Sequence, residues 1–481
     1  MHAFRNPWAC LLLLIGGTFA GCSTAPAPTS NEPPPGPWAD STAFAVADAQ
    51  DHRDGARLIA LLTNGSALVR EQAALALASA GDSTAVDALL KALSDDDPVV
   101  RCNAAFAYGF CGDSVNVHRI VERYSTEPNT AVRGRIAEAM GRIGGADIVP
   151  VLLRRSRATH MDTLGVLLGL YRAALNKHSD TAVVRCALSV PLRAGEDVHV
   201  IACNLLSRSD AAVLKPFTKP LAERAKAITA TEPLIPLLGA LAKTGDIASA
   251  GWMNGIATTH PDPRVRVAAL RGLGKYGQEV MEDAVWAGLD DQDASVRNTA
   301  LELMQQWSGS IDGDRLWKVA QEHADYAMKI PLYALVMKHA GAGTRSACGS
   351  LLNAMAQQDL GPYLNAELVK ARGGELPLSA LVAPSSSAPV RQACLEQFIG
   401  RFGVSDPLLQ EPFARALVDT VFASKDAGLI ARIAEALTGP EMSWFAERVT
   451  PEEIERVSAS LHPIRDLETR QLLDGLLAKR E

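Results

Sequence analysis

Cysteine and histidine are the residues of this chain that could bind a metal ion or act as nucleophiles, and neither type is grouped. The 481 residues include 8 cysteines and 10 histidines, but the spacings Cys-x-x-Cys, His-x-x-x-His and His-Glu-x-x-His do not occur. A P-loop, a dinucleotide-binding loop and a Gly-x-Ser-x-Gly elbow are also missing. The sequence therefore predicts no catalytic residues, no metal site and no cofactor, and we expect a protein that is not an enzyme.

Cys22 is the exception, because its surroundings predict a specific modification. An apolar run from Ala9 to Ile15 follows Arg5, and such a run is too short to span a bilayer but is typical of a secretory signal. The stretch Phe19-Ala20-Gly21-Cys22 resembles the bacterial lipobox, in which the cysteine is acylated and becomes the mature N-terminus. This resemblance implies that residues 1–21 are removed and that Cys22 carries lipid. The alternative is an ordinary signal peptide followed by an incidental cysteine.

The segment after Cys22 predicts a tether. Residues 23–37 contain six prolines among serine, threonine, alanine and glycine, and such a composition forms an extended linker and no core. We therefore divide the chain into the signal peptide (1–21), the lipidated tether (22–42) and a folded part (43–481). By the resemblance, Ser23 favours the outer membrane, so we expect an exported protein anchored in the bacterial cell envelope.

The cysteines of the folded part are expected to be small core residues. Cys102 and Cys111 are nine residues apart, which is a rise of about 13 Å along one helix and too far for a disulfide bond. Cys186 and Cys203 could face each other across neighbouring helices, so a disulfide between them stays open at this point. The remaining two, Cys348 and Cys394, are expected to be buried thiols.

The folded part consists of a sequence repeat that is recognised by a Val-Arg pair. The repeat arginines are Arg70, Arg101, Arg133, Arg266, Arg297 and Arg391. Successive copies are 31 or 32 residues apart, and the longer gaps are near multiples of this period. Three, four and seven residues after each arginine the side chain is apolar, which predicts one buried face of a helix. A fixed period of this length is typical of a stacked repeat array.

Each copy reads as a helix, a short turn and a second helix. Asp97-Pro98 and Asp262-Pro263 predict an N-cap followed by proline at the first helical position. Small residues eight positions after the arginine, among them Gly141, predict a close approach of a neighbouring helix. The fold class is therefore all-α, a solenoid of about thirteen helix-turn-helix repeats of about 31 residues, clear at 56–145 and 247–308 and degenerate elsewhere.

The Asp-Pro turn, the Val-Arg pair and the Ala-Ala-x-x-Leu-Gly run together resemble the HEAT-repeat family. In that family the aspartate of the turn and the arginine of the second helix form a ladder between neighbouring repeats. The resemblance implies that Asp97 with Arg101 and Asp262 with Arg266 form such a ladder. The other arginines expected to take part are Arg70, Arg133, Arg297 and Arg391.

Aromatic residues are concentrated between positions 252 and 333, where a partner could bind. Tryptophan and arginine are frequent at the energetic centres of protein interfaces. The residues of this possible partner-binding patch are Trp252, Arg264, Arg271, Trp286 and Trp317. The alternative is that the aromatic rings are packing residues of the repeats.

Charge and resemblance together lead to two hypotheses about function. The net charge of −7 and the absence of a basic run argue against a nucleic-acid partner, and no small-molecule substrate is expected. The first hypothesis is a lipid-anchored scaffold that binds a protein or peptide on the solenoid surface. The second follows from secreted HEAT-repeat lipoproteins that carry a cyclophilin-type peptidyl-prolyl isomerase domain. The chain would then be a substrate-holding or chaperone-like arm, since no cyclophilin motif follows residue 376.

Overall fold

The computed structural model describes residues 41–155 and 157–371, with a few single positions between 387 and 452. Within these residues every regular element is a helix, and no strand occurs. The predicted all-α class is confirmed. The predicted signal peptide, most of the tether and nearly all of the last predicted repeats, from 376 to 481, lie outside the described residues.

The described helices fall into two compact units, of which the first ends at Ala139. Its helices are α1 Ser41–Asp51, α2 Gly55–Leu61, α3 Ala67–Ala80, α4 Val86–Ala92, α5 Pro98–Cys111 and α6 Val117–Thr126. Helix α7, Thr130–Ile143, begins in this unit and ends in the next. Short 3₁₀ turns at Ser83–Ala85 and Ser114–Asn116 precede α4 and α6.

The second unit begins at Met140 and continues the same alternation of helices. Its first helices are α8 Ile148–Leu153, α9 His160–Leu175, α10 Thr181–Leu188, α11 Glu196–Arg208, α12 Ala211–Leu214 and α13 Thr218–Ala227. The next are α14 Thr231–Ala242, α15 Ile247–Thr259, α16 Pro263–Leu273, α17 Gln278–Leu289 and α18 Ala294–Gln305. The last described are α19 Gly313–Glu322, α20 Tyr326–His339, α21 Ala342–Met355 and α22 Pro362–Ala371.

The second helix of each repeat packs against the second helices before and after it. In the first unit α1, α3 and α5 form one such layer, and in the second unit α9, α11, α14, α16, α18, α20 and α22 form another. The first helices pack beside them, for example α15 against α17 and α19 against α21. Each unit is therefore a stack of helix pairs in which one row of parallel second helices shares a common face.

Aspartate side chains fix where many of the second helices begin. The Asp97 Oδ1 accepts the Val99 N–H at 2.7 Å and the Asp293 Oδ1 accepts the Ser295 N–H at 2.8 Å. Asp325 caps α20 in the same way, through the N–H of Ala327. Each cap satisfies an amide that has no partner within the helix, which is worth about 1 kcal/mol.

The predicted apolar columns form the core. In α3 the residues three, four and seven positions after Arg70 are Ala73, Ala74 and Leu77, and all three are fully buried. The small alanine side chains let second helices approach closely. The closest case is α7 against α9, where a methyl group on Gly141 would overlap the carbonyl oxygen of Gly169.

Candidate partner-binding surface

The repeat arginines join consecutive repeats through paired contacts with a carboxylate. The Arg70 Nε lies 2.7 Å from Asp95 Oδ2 and its Nη2 lies 2.9 Å from Asp95 Oδ1. Its Nη1 donates to the carbonyls of Asn64 and Gly65, in the turn before its own helix. One guanidinium thus clamps its own turn and the turn of the following repeat, using the two-pronged geometry that favours arginine over lysine.

The next contact of this kind is the most buried one. Arg101 donates to both carboxylate oxygens of Glu127, at 3.2 and 3.0 Å, and the Glu127 side chain is 0% exposed. Arg123 also donates to Glu127 Oε2, at 2.9 Å, and its Nε donates to the Leu93 carbonyl. The N–H of Asn129 donates to the same carboxylate. Two cations and a backbone amide therefore compensate one buried anion.

The second unit repeats this geometry with Arg266 and Asp291. The Arg266 Nε and Nη2 lie 2.8 and 2.6 Å from the two oxygens of Asp291. Its Nη1 donates to the carbonyl of His260 at 2.7 Å. The hydrogen bonds to Asp291 raise the pKa of Arg266, and the hydrogen bond from Arg70 lowers the pKa of Asp95.

The carboxylates of these contacts are not the ones that the family resemblance implies. Asp97 and Asp262 act as N-caps, accepting the backbone N–H of Val99 and of Arg264. The pairing acid lies two positions earlier in the turn, before the cap. From that position its carboxylate faces the arginine of the preceding repeat, while the cap aspartate folds back onto its own helix. The assignment of Asp97 to Arg101 and of Asp262 to Arg266 is therefore corrected.

The hydrogen bonds from the arginine to the carbonyls of its own turn also occur at the repeat arginines Arg133 and Arg297. Arg133 donates to the carbonyls of Glu127 and Pro128, and Arg297 donates to those of Asp291 and Gln292. In the turn after Arg297 the position of the pairing acid is occupied by His323, whose Nε2 lies 3.8 Å from Asp290 Oδ1. Arg391 belongs to the few described positions beyond 371, and its N–H donates to the Ser387 carbonyl.

The five residues of the predicted aromatic and arginine patch lie in different environments. Trp286 is 4% exposed, and the guanidinium of Arg315 stacks 4.1 Å from its ring centroid. Trp317 packs on Tyr333, with ring centroids 5.6 Å apart. Trp252 is half-buried on α15. The rings of Trp286 and Trp317 thus make packing contacts within the repeats.

Arg264 and Arg271, in contrast, line one groove on the second-helix row. Helices α14, α16 and α18 contribute to it, and its volume is about 570 Å³. The lining residues are Ile235, Gly239, Arg264, Val267, Ala268, Arg271, Gly272, Lys275 and Ser295. The groove thus combines aliphatic side chains with three cations.

One wall of this groove is already neutralised. Arg264 pairs with Glu232 at 2.6 Å and with Asp262 at 2.9 Å. The hydrogen bonds from Arg264 lower the pKa of Asp262 to about 2. Arg271, in the last turn of α16, and Lys275, in the turn that follows it, are exposed. Within the described residues their side chains form no ion pair.

A second surface feature, in the first unit, was missed by the sequence analysis. Five large apolar side chains on consecutive second helices are between 41% and 56% exposed. We call this set the apolar strip, and its members are Phe44 on α1, Leu68 and Leu75 on α3, and Val99 and Phe110 on α5. The signal was present in the sequence, because these positions are apolar although they lie outside the columns that fill the core.

The thiols of Cys186 and Cys203 are free in the structure and form no disulfide with each other. Burial raises the pKa of Cys203 to about 11 and also raises that of Cys186. Arg157 donates to Cys186 Sγ at 2.9 Å. Such protonated, enclosed thiols are poor nucleophiles.

The described residues contain neither a metal-binding cluster nor a membrane-spanning helix. Within residues 41–155 and 157–371 no group of three histidine, cysteine, aspartate or glutamate side chains is placed to hold a metal ion. None of the described helices combines the length and the apolar character that crossing a bilayer requires.

Comparison with known proteins identifies the fold. Residues 55–123 match the family model of HEAT repeats. A crystal structure of importin beta is similar over 90% of this chain and 63% of that chain, with a TM-score of 0.54 and 13% sequence identity. A chain in a homology model of the full-length AP-3 complex in an intermediate open conformation aligns with a TM-score of 0.46 and 12% identity, over 91% and 94% of the two chains. No curated protein matches this sequence.

The match of residues 55–123 to HEAT repeats and the likeness to importin beta support an all-α solenoid of the HEAT type. At 13% identity the likeness to importin beta concerns the fold alone, and this chain spans less than two thirds of that protein. Helical-repeat scaffolds of this kind present extended surfaces for protein partners.

Proposed function

We propose that this chain is a non-catalytic scaffold of the bacterial cell envelope, anchored by lipid on Cys22, that binds a protein through the exposed face of its second helices. The observation that carries this proposal is the apolar strip. A row of half-exposed phenylalanine, leucine and valine side chains on three neighbouring helices is unfavourable in water, and such patches are typical of protein-binding sites.

The contacts between repeats support the same reading. The largely buried pairs formed by Arg70, Arg101 and Arg266 each join a second helix to the turn of the following repeat, and none of them includes a residue of the apolar strip. Because these pairs fix one repeat against the next, residues on that face are held in place before a partner arrives. A preorganised surface loses less conformational entropy on binding.

Anchoring at Cys22 rests on the lipobox-like residues and on the proline-rich segment that follows them. Two or more acyl chains hold a protein stably on a membrane, whereas one chain holds it only marginally. The test is metabolic labelling with an alkyne fatty acid, comparing the wild type with Cys22→Ser. We expect label and membrane fractionation only for the wild type. An unlabelled wild-type protein would refute the anchor and leave the binding proposal standing.

Partner binding is tested by cross-linking affinity capture of the full chain from its own envelope, followed by mass spectrometry. The test variant is Leu75→Asp with Val99→Asp, which places two charges in the apolar strip. The matched control is Val115→Asp, since Val115 is 74% exposed and lies outside the strip. We expect one stoichiometric partner with the wild type and the control, and its loss with the double variant.

Three results would contradict this proposal. Equal recovery of the partner by the double variant would show that the strip is not the binding surface. Recovery of many unfolded envelope proteins, or measurable proline isomerisation by the purified chain, would instead support the chaperone-like arm of an isomerase system.

A further inference from the structure

The second unit presents a row of basic residues at one fixed position of its second helices. Each lies 13 residues after the N-cap residue of its helix, near the C-terminal end. We call this set the basic column, and its members are Arg172, Arg208, Lys243, Lys275 and Lys338. The equivalent residue of α18 is Gln306. In the first unit the equivalent residues of α3 and α5 are Ser79 and Phe110.

Lys243 lies close enough to two other members of the column for their charges to affect it. Besides burial, the positive charges of Lys275 and Arg208 lower the pKa of Lys243. A cation near a helix C-terminus stabilises that helix. Lys243 does so for α11, because it donates to the carbonyls of Ser207 and Ser209, at the end of that helix, at 2.6 and 3.1 Å. Helix capping explains Lys243, whereas the Lys275 side chain forms no ion pair among the residues that the structure describes.

The groove on α14, α16 and α18 lies along this column. Lys275, in the turn that follows α16, belongs to both, and Arg271, in the last turn of α16, lines the same groove. Ile235, Val267 and Ala268 supply the aliphatic part of the groove. An occupant that matches both parts carries carboxylates beside aliphatic side chains.

We propose that this groove binds an acidic peptide segment of the scaffold's protein partner, with its carboxylates on Arg271 and Lys275 and an aliphatic side chain against Ile235 and Val267. This inference rests on the proposed scaffold function and names the chemistry of what the scaffold binds. The argument for it is charge complementarity. The protein as a whole has a net charge of −7, but this groove is lined by cations, which attract the carboxylates of an acidic peptide.

The existing ion pairs give the bound segment a direction across the groove. Glu232 and Asp262 lie with Arg264 at the N-terminal ends of α14 and α16. Peptide carboxylates would be repelled from that wall and attracted to the C-terminal end, where Arg271 and Lys275 lie. The acidic residues of the segment therefore lie toward the C-terminal ends of the second helices.

The test begins with selection of peptides from a random dodecamer display library on the purified full chain. The affinity of the enriched peptides is then measured by fluorescence anisotropy. The variant is Arg271→Glu with Lys275→Glu. The control is Lys226→Glu with Lys318→Glu, which makes the same charge change at exposed positions of the first helices α13 and α19. Melting curves verify that both double variants fold.

We expect enrichment of peptides that combine aspartate or glutamate with aliphatic residues. Their affinity should fall about tenfold or more with the groove variant, stay unchanged with the control, and weaken as salt is raised. Enrichment of neutral or basic peptides, no enrichment at all, or equal affinity for the groove variant would overturn the inference. So would groove-dependent binding of a single-stranded oligonucleotide or of phosphatidylglycerol vesicles in place of acidic peptides.

Failure of this inference is distinguishable from failure of the scaffold proposal. If the envelope partner is captured through the apolar strip while the groove variant binds it normally, only the acidic-peptide inference is lost. If the wild-type chain captures no partner at all, the scaffold proposal fails, whatever the library selection returns.

Discussion

Arg101 lies on the second helix of one repeat, and its Nε and Nη2 donate to the two carboxylate oxygens of Glu127. Glu127 lies in the turn before the second helix of the next repeat. Since the Glu127 side chain is 0% exposed, this contact is a buried ion pair and differs from an exposed pair such as that of Asp87 with Arg119. Removing one partner of such a pair leaves the other charges buried without compensation.

The first prediction therefore concerns Glu127→Ala. We expect the free energy of unfolding to fall by about 3–5 kcal/mol, because Arg101 and Arg123 lose their shared anion. Chemical denaturation of the purified protein measures this change. The control is Asp87→Ala, which removes the exposed pair between Asp87 and Arg119 and should leave stability nearly unchanged. Equal effects of the two substitutions would contradict the account.

The second prediction is a pH dependence that originates at Asp95. Arg70 lowers the pKa of this carboxyl below its ordinary value, so the folded state binds protons less readily there than the unfolded state. The resulting stability is fully present above the unfolded pKa of about 3.9. It is lost as the pH falls through the lowered folded pKa. Asp262, with a pKa of about 2, contributes with the same sign.

This effect is measured by comparing the wild type with Asp95→Asn between pH 5 and 2. We expect the stability difference between the two proteins to be largest near pH 5 and to shrink toward pH 2. A difference that stays constant over this range would show that Asp95 is not the titrating group.

The third prediction concerns the close contact of α7 and α9. A methyl group at position 141 would overlap the Gly169 carbonyl, and backbone cannot move away as a flexible side chain can. We expect Gly141→Ala to destabilise the protein by about 1–3 kcal/mol, the range found for overpacking. The control is Gly255→Ala, in the helix α15, where a methyl group meets nothing within 4 Å. That substitution should be neutral or slightly stabilising, and a destabilising control would refute this explanation.

The fourth prediction concerns the two thiols that the sequence left open to a disulfide. Because burial raises the pKa of Cys203 to about 11, we expect it to resist alkylation at neutral pH until the protein unfolds. Peptide mapping after iodoacetamide treatment, with and without denaturant, measures this protection. Detection of a peptide linking Cys186 to Cys203 without reductant would contradict the free thiols of the structure.

The repeat itself could be predicted from the sequence because the same residue types recur at the helix caps and at the buried positions of each repeat. The Val-Arg pair, the Asp-Pro cap and the apolar columns each depend on local helix geometry, so spacing alone places them. The position of the pairing acid could not be predicted in this way. Asp95 and Asp97 are two residues apart in one turn, and only the three-dimensional path of the turn decides which carboxylate faces Arg70.

The candidate surface was harder to predict for a related reason. Tryptophan occurs both in cores and in interfaces, so Trp286 and Trp317 could not be assigned by residue type, and the structure places their rings in packing contacts. The apolar strip and the basic column are visible only once the face of each second helix is known. Their residues belong to columns that vary between the two units, and the repeat pattern does not mark them.

The most direct test of the scaffold account is site-specific photo-crosslinking in living cells. A benzophenone amino acid is placed at Leu75, inside the apolar strip, and in a second strain at Val115, which is exposed outside it. The account predicts one discrete cross-linked protein from position 75 and none from position 115. No cross-linked protein at position 75, or the same products from both positions, would contradict the claim that the second-helix face binds a partner.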